Sequence, residues 1–445
     1  MAQKNCYGED KHSGRTLREK GTDMSTVQIC IHRAADTIGG NCIEIKASSG
    51  ERLLLDAGRP LDTPEGEPTP IPVTLDTTKP VSGILLSHAH ADHCGLLEML
   101  PAEWPVYCGK GTEILLQLSA AMGRKTLAQP CAHWENGKPI SIGPFAVTPY
   151  LIDHSAPDAY ALHIGVGGKT IVYSGDFRAH GRKAKLTEDL MRRPPKGVDV
   201  LIMEGTNLPA ADFALKGFPT EDELQEQFAS LFNECQGRVF VSWSSTNIDR
   251  TVTLYKACKD NGRVLVPDLF CMLVLMRLKE LGRIPQPYWE GGYMRAVVTK
   301  KMAHLMDLLG APELVKELKQ YKAAMKAATL ATNPARWVIM ARDSLLKDYA
   351  AKGVVPNEQD IWVWSMWKGY LEQESSRSMR EFFAPCRKEY IHSSGHASPE
   401  VLKQFAEAMQ PKMLIPVHGE GWHAWAKYFL NIRAAVDGEW LDLTA

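Results

Sequence analysis

The chain has 445 residues, enough for two domains of ordinary size, and 44% of them are apolar, enough to build real cores. A formal net charge of −1 excludes a strongly basic protein, so any contact with nucleic acid falls to local patches rather than bulk charge. No apolar run reaches the length of a membrane span and the polar start lacks a signal-peptide pattern, so no membrane partner is expected. The ten Cys stand singly, without a C-x-x-C pair. That usage fits reduced thiols packed inside a cytoplasmic enzyme, not a disulfide framework.

Residues 1–24 are polar and aperiodic and read as a flexible extension, with Met24 a second candidate start. From Val27 short apolar strands follow, VQICIH, NCIEIKA and RLLLDAG, punctuated by Gly39, Gly40 and Gly50. A Pro-rich connection over 60–80 leads to VSGILL (81–86), a buried strand by its aliphatic character. The next nine residues, SHAHADHCG, carry four potential metal ligands: His88, His90, Asp92 and His93. Three imidazoles and a carboxylate on a tight loop suit zinc, manganese or another borderline divalent ion. Neighbours on such a loop point in different directions, so two adjacent ions are expected, His88 and His90 on one, Asp92 and His93 on the other. Cys94 beside them reads as a packed small residue.

A helix is expected from near Leu96, then a strand at VYCG and a helix around 112–122. The run ISIGPFAVTPYLIDHS places His154 just past a strand, and KTIVYSGDFR places Asp176 behind the turn former Gly175. After VDVLIMEGTNL, residues 221–235 read as an amphipathic helix. A strand–loop–helix–strand run over 238–268 follows, then helices near 269–281, 298–309, 312–330 and 341–352 and a strand at IWVWSMW. This second α/β unit is closed by IHSSGHAS (391–398), a helix at 399–409 and KMLIPVHGE (412–420). KELKQYKAAMKAA (316–328) reads as a solvated basic helix face. Trp362, Trp364 and Trp367 read as core and interface packing rather than a platform for bases.

The pattern H-x-H-x-D-H after a strand resembles the signature of the metallo-β-lactamase superfamily of di-metal hydrolases. The large insertion closed by S-G-H-A-S and P-V-H-G-E resembles its β-CASP nucleases, more narrowly ribonuclease J, from about Val27 onward. The fold implied is α/β, a metallo-β-lactamase αβ/βα sandwich formed by 25–205 and a C-terminal return over 386–445, with an inserted α/β β-CASP domain over 206–385. The resemblance implies that His154 joins His88 and His90, that Asp176 bridges both ions, and that His418 completes the second site. Asp56 would support the ligand loop from behind, or merely cap a turn before Gly58. Glu204 in MEGTN matches the group's acidic motif A, His396 its motif B and His418 its motif C. A histidine at motif C accompanies RNA-directed members, which points to RNA rather than DNA.

Two ions held about 3.5–4 Å apart can clamp a non-bridging phosphate oxygen and share a bridging hydroxide as nucleophile. Asp92 and Asp176 would hold that centre, and His396, steadied by Glu204, would serve the leaving oxygen. Ser394, Gly395, His396, Ala397 and Ser398 precede a helix and would present N–H groups to a phosphate, as the similar loop of ribonuclease J does for a 5′ nucleotide. Ser398 also reads as a plain helix cap. Arg250 either adds charge to the cleft or is exposed surface, and His423 is helix surface. The expected function is a di-metal ribonuclease acting on single-stranded RNA, as 5′–3′ exonuclease, endonuclease or both, with two divalent ions, Zn²⁺ or Mn²⁺. The alternatives are a hydrolase of a small ester, lactone or thioester, a DNA-directed β-CASP nuclease, and a catalytically silent RNA-binding scaffold. Ribonuclease J carries a further C-terminal domain linked with oligomer formation, whereas this chain stops 27 residues after His418, which leaves an oligomer open.

Overall fold

Aliphatic alternation builds two facing sheets. The computed structural model describes residues 26–64, 66–208 and 217–443, and the extension expected over 1–24 lies outside them. A seven-stranded sheet runs in the order Trp440–Leu443, Val27–Arg33, Cys42–Lys46, Arg52–Leu55, Gly83–Leu85, Val106–Cys108, Cys131–His133. Its first four strands pair antiparallel and the rest join in parallel. A six-stranded sheet runs Met413–Val417, Val200–Glu204, Lys169–Tyr173, Ala159–Val166, Phe145–Ile152, Ile140–Ile142. Ile29, Ile31, Ile43, Ile45, Leu53 and Leu55 of the first meet Val147, Leu162, Ile164, Ile171, Ile202 and Ile415 of the second in one core. Residues one step along each strand turn to the opposite faces, Leu54, Ile84 and Leu86 to one outer layer, Val172, Leu201, Met203 and Leu414 to the other. Each aliphatic side chain so buried is worth about 1.5–3 kcal/mol before entropy is counted.

A third, five-stranded sheet is wholly parallel, in the order Val264–Val266, Trp337–Met340, Val239–Ser242, Ile361–Trp364, Arg387–Tyr390. Parallel pairing requires crossovers, which helices supply, and four of these strands are buried along their whole length. Helix Glu221–Glu234 packs Leu224, Phe228, Leu231 and Phe232 inward at helical spacing. Its start is set by a capping box, in which Thr220 Oγ1 accepts from Glu223 N (3.1 Å) and Glu223 accepts from Thr220 N (2.7 Å). Helix Lys110–Met122 ties the units together, with Leu115 and Leu118 in the core of the third sheet and Leu116 in the outer layer of the sandwich.

Several local expectations change. No long helix starts at Leu96; a short helix, Ala91–Cys94, holds part of the ligand loop itself, and a 3₁₀ turn covers Leu97–Met99. Pro101 explains the stop, because it forces Leu100 into extended backbone (φ −95°, ψ 157°). The helix expected over 312–330 is only Glu313–Gln320, ended where Lys322 turns left-handed (φ 55°), so 316–328 is not one basic face. The strand Arg387–Tyr390 pairs with Ile361–Trp364, so the chain leaves the third sheet after Tyr390 rather than at 386. Trp362 and Trp364 are buried, whereas Trp367 is 60% exposed and is not core packing. Among the described residues no helix is long and apolar enough to cross a membrane.

Candidate metal centre

The carboxyl ends of strands from both sheets deliver the candidate ligands to one rim of the sandwich. His88 and His90 follow Gly83–Leu85, and Asp92 and His93 lie on the short helix beyond. His154 follows Phe145–Ile152, Asp176 follows Lys169–Tyr173, Glu204 ends its own strand, and His418 follows Met413–Val417. Close backbone approach makes this possible. A Cβ at Gly58 would lie 1.8 Å from the Asp92 carbonyl oxygen, and one at Gly175 (φ +54°) 2.8 Å from Ser87 Cβ. Asp56 (φ 57°) and His418 (φ 53°) take left-handed backbone without being glycine, a strain found where surrounding structure dictates a side chain's aim.

The ligand-type atoms fall into groups whose members all lie within 4.8 Å of one another: His88, His90 and His154; Asp92, His93, Asp176 and His418; and Asp176, Glu204 and His396. His154 Nε2 and His90 Nδ1 are 3.3 Å apart. Asp176 Oδ2 stands 2.9 Å from His93 Nε2, 3.6 Å from His418 Nε2 and 3.9 Å from His88 Nε2, touching both of the first two groups. Nitrogens and oxygens bound about 2 Å from a tetrahedral ion lie about 3.4 Å from one another, the spacing seen here. The Nε2 atoms of His88, His93 and His418 and both carboxylate oxygens of Asp176 are buried without a hydrogen bond. Such atoms are costly unless something completes them, and a pair of divalent cations fits this donor set.

A second layer fixes which nitrogen faces inward. Asp56 Oδ2 accepts from His93 Nδ1 (2.7 Å), Tyr173 OH (2.5 Å) and Ser87 Oγ (2.8 Å), while its Oδ1 accepts from Ser87 N. Asn41 Oδ1 accepts from His418 Nδ1 (2.7 Å), and Asn41 itself donates to Tyr173 OH (3.0 Å). Asp56 and Asn41 thereby engage Nδ1 of each imidazole and aim its Nε2 inward. Asn41 and Tyr173 were not singled out from the sequence; the only local signal was Asn41 after two glycines. Burial, with neighbouring imidazoles, pushes His88 and His154 well below their ordinary range, into the neutral form that ligates. Burial alone would raise the Asp176 carboxyl, but His418, His93 and His396 outweigh it and keep it ionised.

His396 Nδ1 lies 3.2 Å from Glu204 Oε2 and 3.6 Å from Asp176 Oδ2. Burial would lower this imidazole, but the two carboxylates outweigh it and push it up to about 9. The preceding loop is gripped from below. Ser394 O accepts from Arg178 Nη1 (3.0 Å) and His180 Nε2 (2.8 Å), and Asn207 Nδ2 donates to Ser394 Oγ and to the carbonyls of His396 and Ala397. Gly395 packs against Ser155, where a Cβ would lie 2.7 Å from the hydroxyl. Ala397 and Ser398 are buried, and Ser398 caps helix Pro399–Met409 by accepting from Val401 N. Arg250 is not brought to this rim. It is fully buried, paired with Glu221 (3.0 Å) and bonded to Ser365, so neither a cleft role nor an exposed one describes it. Cys94 is packed in the outer core, and His423 is exposed.

Known proteins resemble this chain. The family described as a beta-lactamase superfamily domain matches residues 51–259, and that described as a Zn-dependent metallo-hydrolase RNA specificity domain matches 385–426. Ribonuclease J of Helicobacter pylori (strain B128) is 29% identical over 399 residues, covering 86% of this chain and 54% of the relative. Ribonuclease J of Sinorhizobium meliloti is 25% identical, covering 80% of this chain and 61% of the relative. The chain therefore spans about half to three-fifths of the length of these curated relatives. A crystal structure of a protein of unknown function from Enterococcus faecalis V583 superposes with a TM-score of 0.73 at 19% identity, covering 94% of this chain and all of the other, and shows the same fold. The two family matches and the ribonuclease J relatives together support a metallo-β-lactamase-fold, β-CASP protein similar to ribonuclease J.

Proposed function

We propose that this protein is a di-metal ribonuclease that hydrolyses phosphodiester bonds of single-stranded RNA. One observation carries the reading. The His88, His90 and His154 cluster adjoins the Asp92, His93, Asp176 and His418 cluster at Asp176, whose Oδ2 lies 3.9 Å from His88 Nε2, and the His396–Glu204 pair stands beside them. The similarity to ribonuclease J and to the RNA specificity domain supplies the substrate class. The metal-binding unit is taken as 25–205 with a C-terminal return after Tyr390, interrupted by the inserted unit, whose last strand is Arg387–Tyr390.

His88, His90 and His154 would hold one divalent ion and Asp92, His93 and His418 the other, with Asp176 between them; Zn²⁺ and Mn²⁺ both suit the donors. When bound, such a pair supplies Lewis acidity and hydroxide near neutral pH, the basis of a metal-bridging hydroxide mechanism. The rest falls to the chain's own side chains. Asp56 and Asn41 keep His93 and His418 aimed. His396, protonated across the neutral range by its two carboxylate neighbours, donates a proton or a charged hydrogen bond to the departing oxygen, and Glu204 sets its orientation through Nδ1. Ser394 and Gly395, fixed by Arg178, His180 and Asn207, border the place of the phosphate, and a 5′-monophosphate end is the expected preference.

The test compares matched RNA and DNA strands bearing 5′-monophosphate, triphosphate or hydroxyl ends, with Zn²⁺ or Mn²⁺ and an Asp176→Ala control. Mononucleotide release from 5′-monophosphate RNA supports exonuclease action with end recognition, and internal fragments support endonuclease action without it. RNA left intact by metal-loaded protein, or cut equally well by Asp176→Ala, overturns the reading.

A further inference from the structure

The carboxyl edge of the five-stranded sheet faces the metal centre, because the chain leaving its edge strand Arg387–Tyr390 runs straight on through His392 and Ser394 to His396. Open parallel sheets gather ligands outside the carboxyl ends of their strands. The adjacent strand Ile361–Trp364 ends at the same edge, Trp364 standing opposite Tyr390. Within six residues the aromatic side chains change character. Trp362 and Trp364 are buried, but Trp367 is 60% and Tyr370 48% exposed. Their rings meet edge to face, centroids 5.2 Å apart and planes at 86°.

This pair is held in place rather than merely left in water. Trp364 Nε1 donates to the Trp367 carbonyl (3.1 Å), tying the turn to the buried strand end. The Trp367 indole lies over Gly369, where a Cβ would come within 2.2 Å of the ring carbons, so the ring rests on bare backbone with its remaining surface in solvent. The ligand loop adjoins the same unit. Ala89, between His88 and His90, packs against the core of the third sheet. Asp92 is the ligand candidate on the open side of its cluster, with 17% of its side chain exposed.

We infer that Trp367 and Tyr370 form a stacking platform for an unpaired nucleobase of the strand whose phosphate lies at the metal centre. The inference rests on the ribonuclease reading and narrows it. Aromatic rings take any base by its face, so the platform tolerates sequence and requires a base free of a duplex stack, and each stacked base is worth about 5- to 150-fold in affinity. Lys368, exposed between the two rings in sequence, adds positive charge for the backbone.

The experiment measures kcat and KM for a single-stranded oligoribonucleotide with Mn²⁺, and affinity for its phosphorothioate analogue, in the wild type, Trp367→Ala, Tyr370→Ala and Trp367→Phe. An abasic nucleotide is then walked along the strand. Trp367→Ala should raise KM about 5- to 150-fold with a smaller change in kcat, while Trp367→Phe retains most of the affinity. At one register the abasic strand should weaken wild-type binding by the same factor, and Trp367→Ala should add nothing further. Unaltered melting temperatures separate this from misfolding. RNA cleavage with equal KM in wild type and Trp367→Ala, or additive losses at every register, overturns the platform alone. A wild type that neither binds nor cleaves RNA overturns the ribonuclease reading with it.

Discussion

Two clusters of buried charge lie within a few residues of each other, and they are built on opposite principles. In one, every strong donor meets an acceptor. Arg178 bonds Asp249 (2.7 Å) and Ser394 O and lies 3.5 Å from Asp153, Arg250 bonds Glu221 and Ser365, and Thr253 Oγ1 donates to Glu221 (2.6 Å). In the other, around Asp176, ligand-type nitrogens and oxygens converge on one another at 2.9–3.9 Å, and His88 Nε2 and His418 Nε2 find no hydrogen-bond partner. Burying charge is tolerable only when it is paired, so the first cluster is complete as protein and the second is complete only with cations. The comparison separates a charge network that joins the inserted unit to the sandwich from the proposed metal centre, although Arg178 and Asp176 are two residues apart.

The sharpest way to break that contrast is to substitute His396. Changing it to Ala should lower kcat on RNA by about 10²- to 10⁴-fold while metal content, read by elemental analysis, stays at the wild-type level. Loss of metal instead would move His396 into the ligand set. For the paired cluster, Glu221→Gln leaves Arg250 buried without its carboxylate and should cost about 3–5 kcal/mol in denaturant unfolding, with or without a chelator present. The chelator alone should lower the melting temperature of the wild type and leave that of Asp176→Ala unmoved.

Acid should act on the paired cluster in a defined window. Burial by itself would raise the Glu221 carboxyl, but Arg250 and Arg178 outweigh it and hold it at about 2, against an ordinary 4.5. The folded value lies below the unfolded one, so this stabilisation is present in full above pH 4.5 and is lost as pH falls toward 2. Melting curves of the wild type should drop steeply through that window and those of Glu221→Gln should drop less. The smallest effect belongs to Ser398→Ala, which removes a helix cap worth about 1 kcal/mol. If 5′-monophosphate preference also disappears in that variant, the hydroxyl meets the phosphate as well as Val401 N.

The legible parts of the molecule were those where function and local pattern coincide. Four ligand-type side chains in six residues are conspicuous wherever they fold, and the aliphatic strands before His88, His154, Asp176 and His418 announce themselves by composition. Other parts were misread because their fate depends on partners far along the chain. Strand Ala159–Val166 and helix Ala184–Arg192 carry little local signal, the first being interrupted by Gly165 and His163 and the second having few apolar residues. Trp367 follows Trp362 and Trp364 in the same short run, IWVWSMW, and differs in lying beyond the strand end.

What the sequence alone determined is the inventory: a ligand loop after a buried strand, histidines and carboxylates at strand ends, and a long α/β insertion before the last of them. Tertiary structure decided the grouping. Whether Asp176 touches both clusters, whether Asn41 aims His418, and whether Arg250 meets substrate or Glu221 are questions of distance between residues separated by tens to hundreds of positions. The physical reason is that ligation and ion pairing require approach within about 4 Å, and only the packing of the sheets brings such distant residues that close.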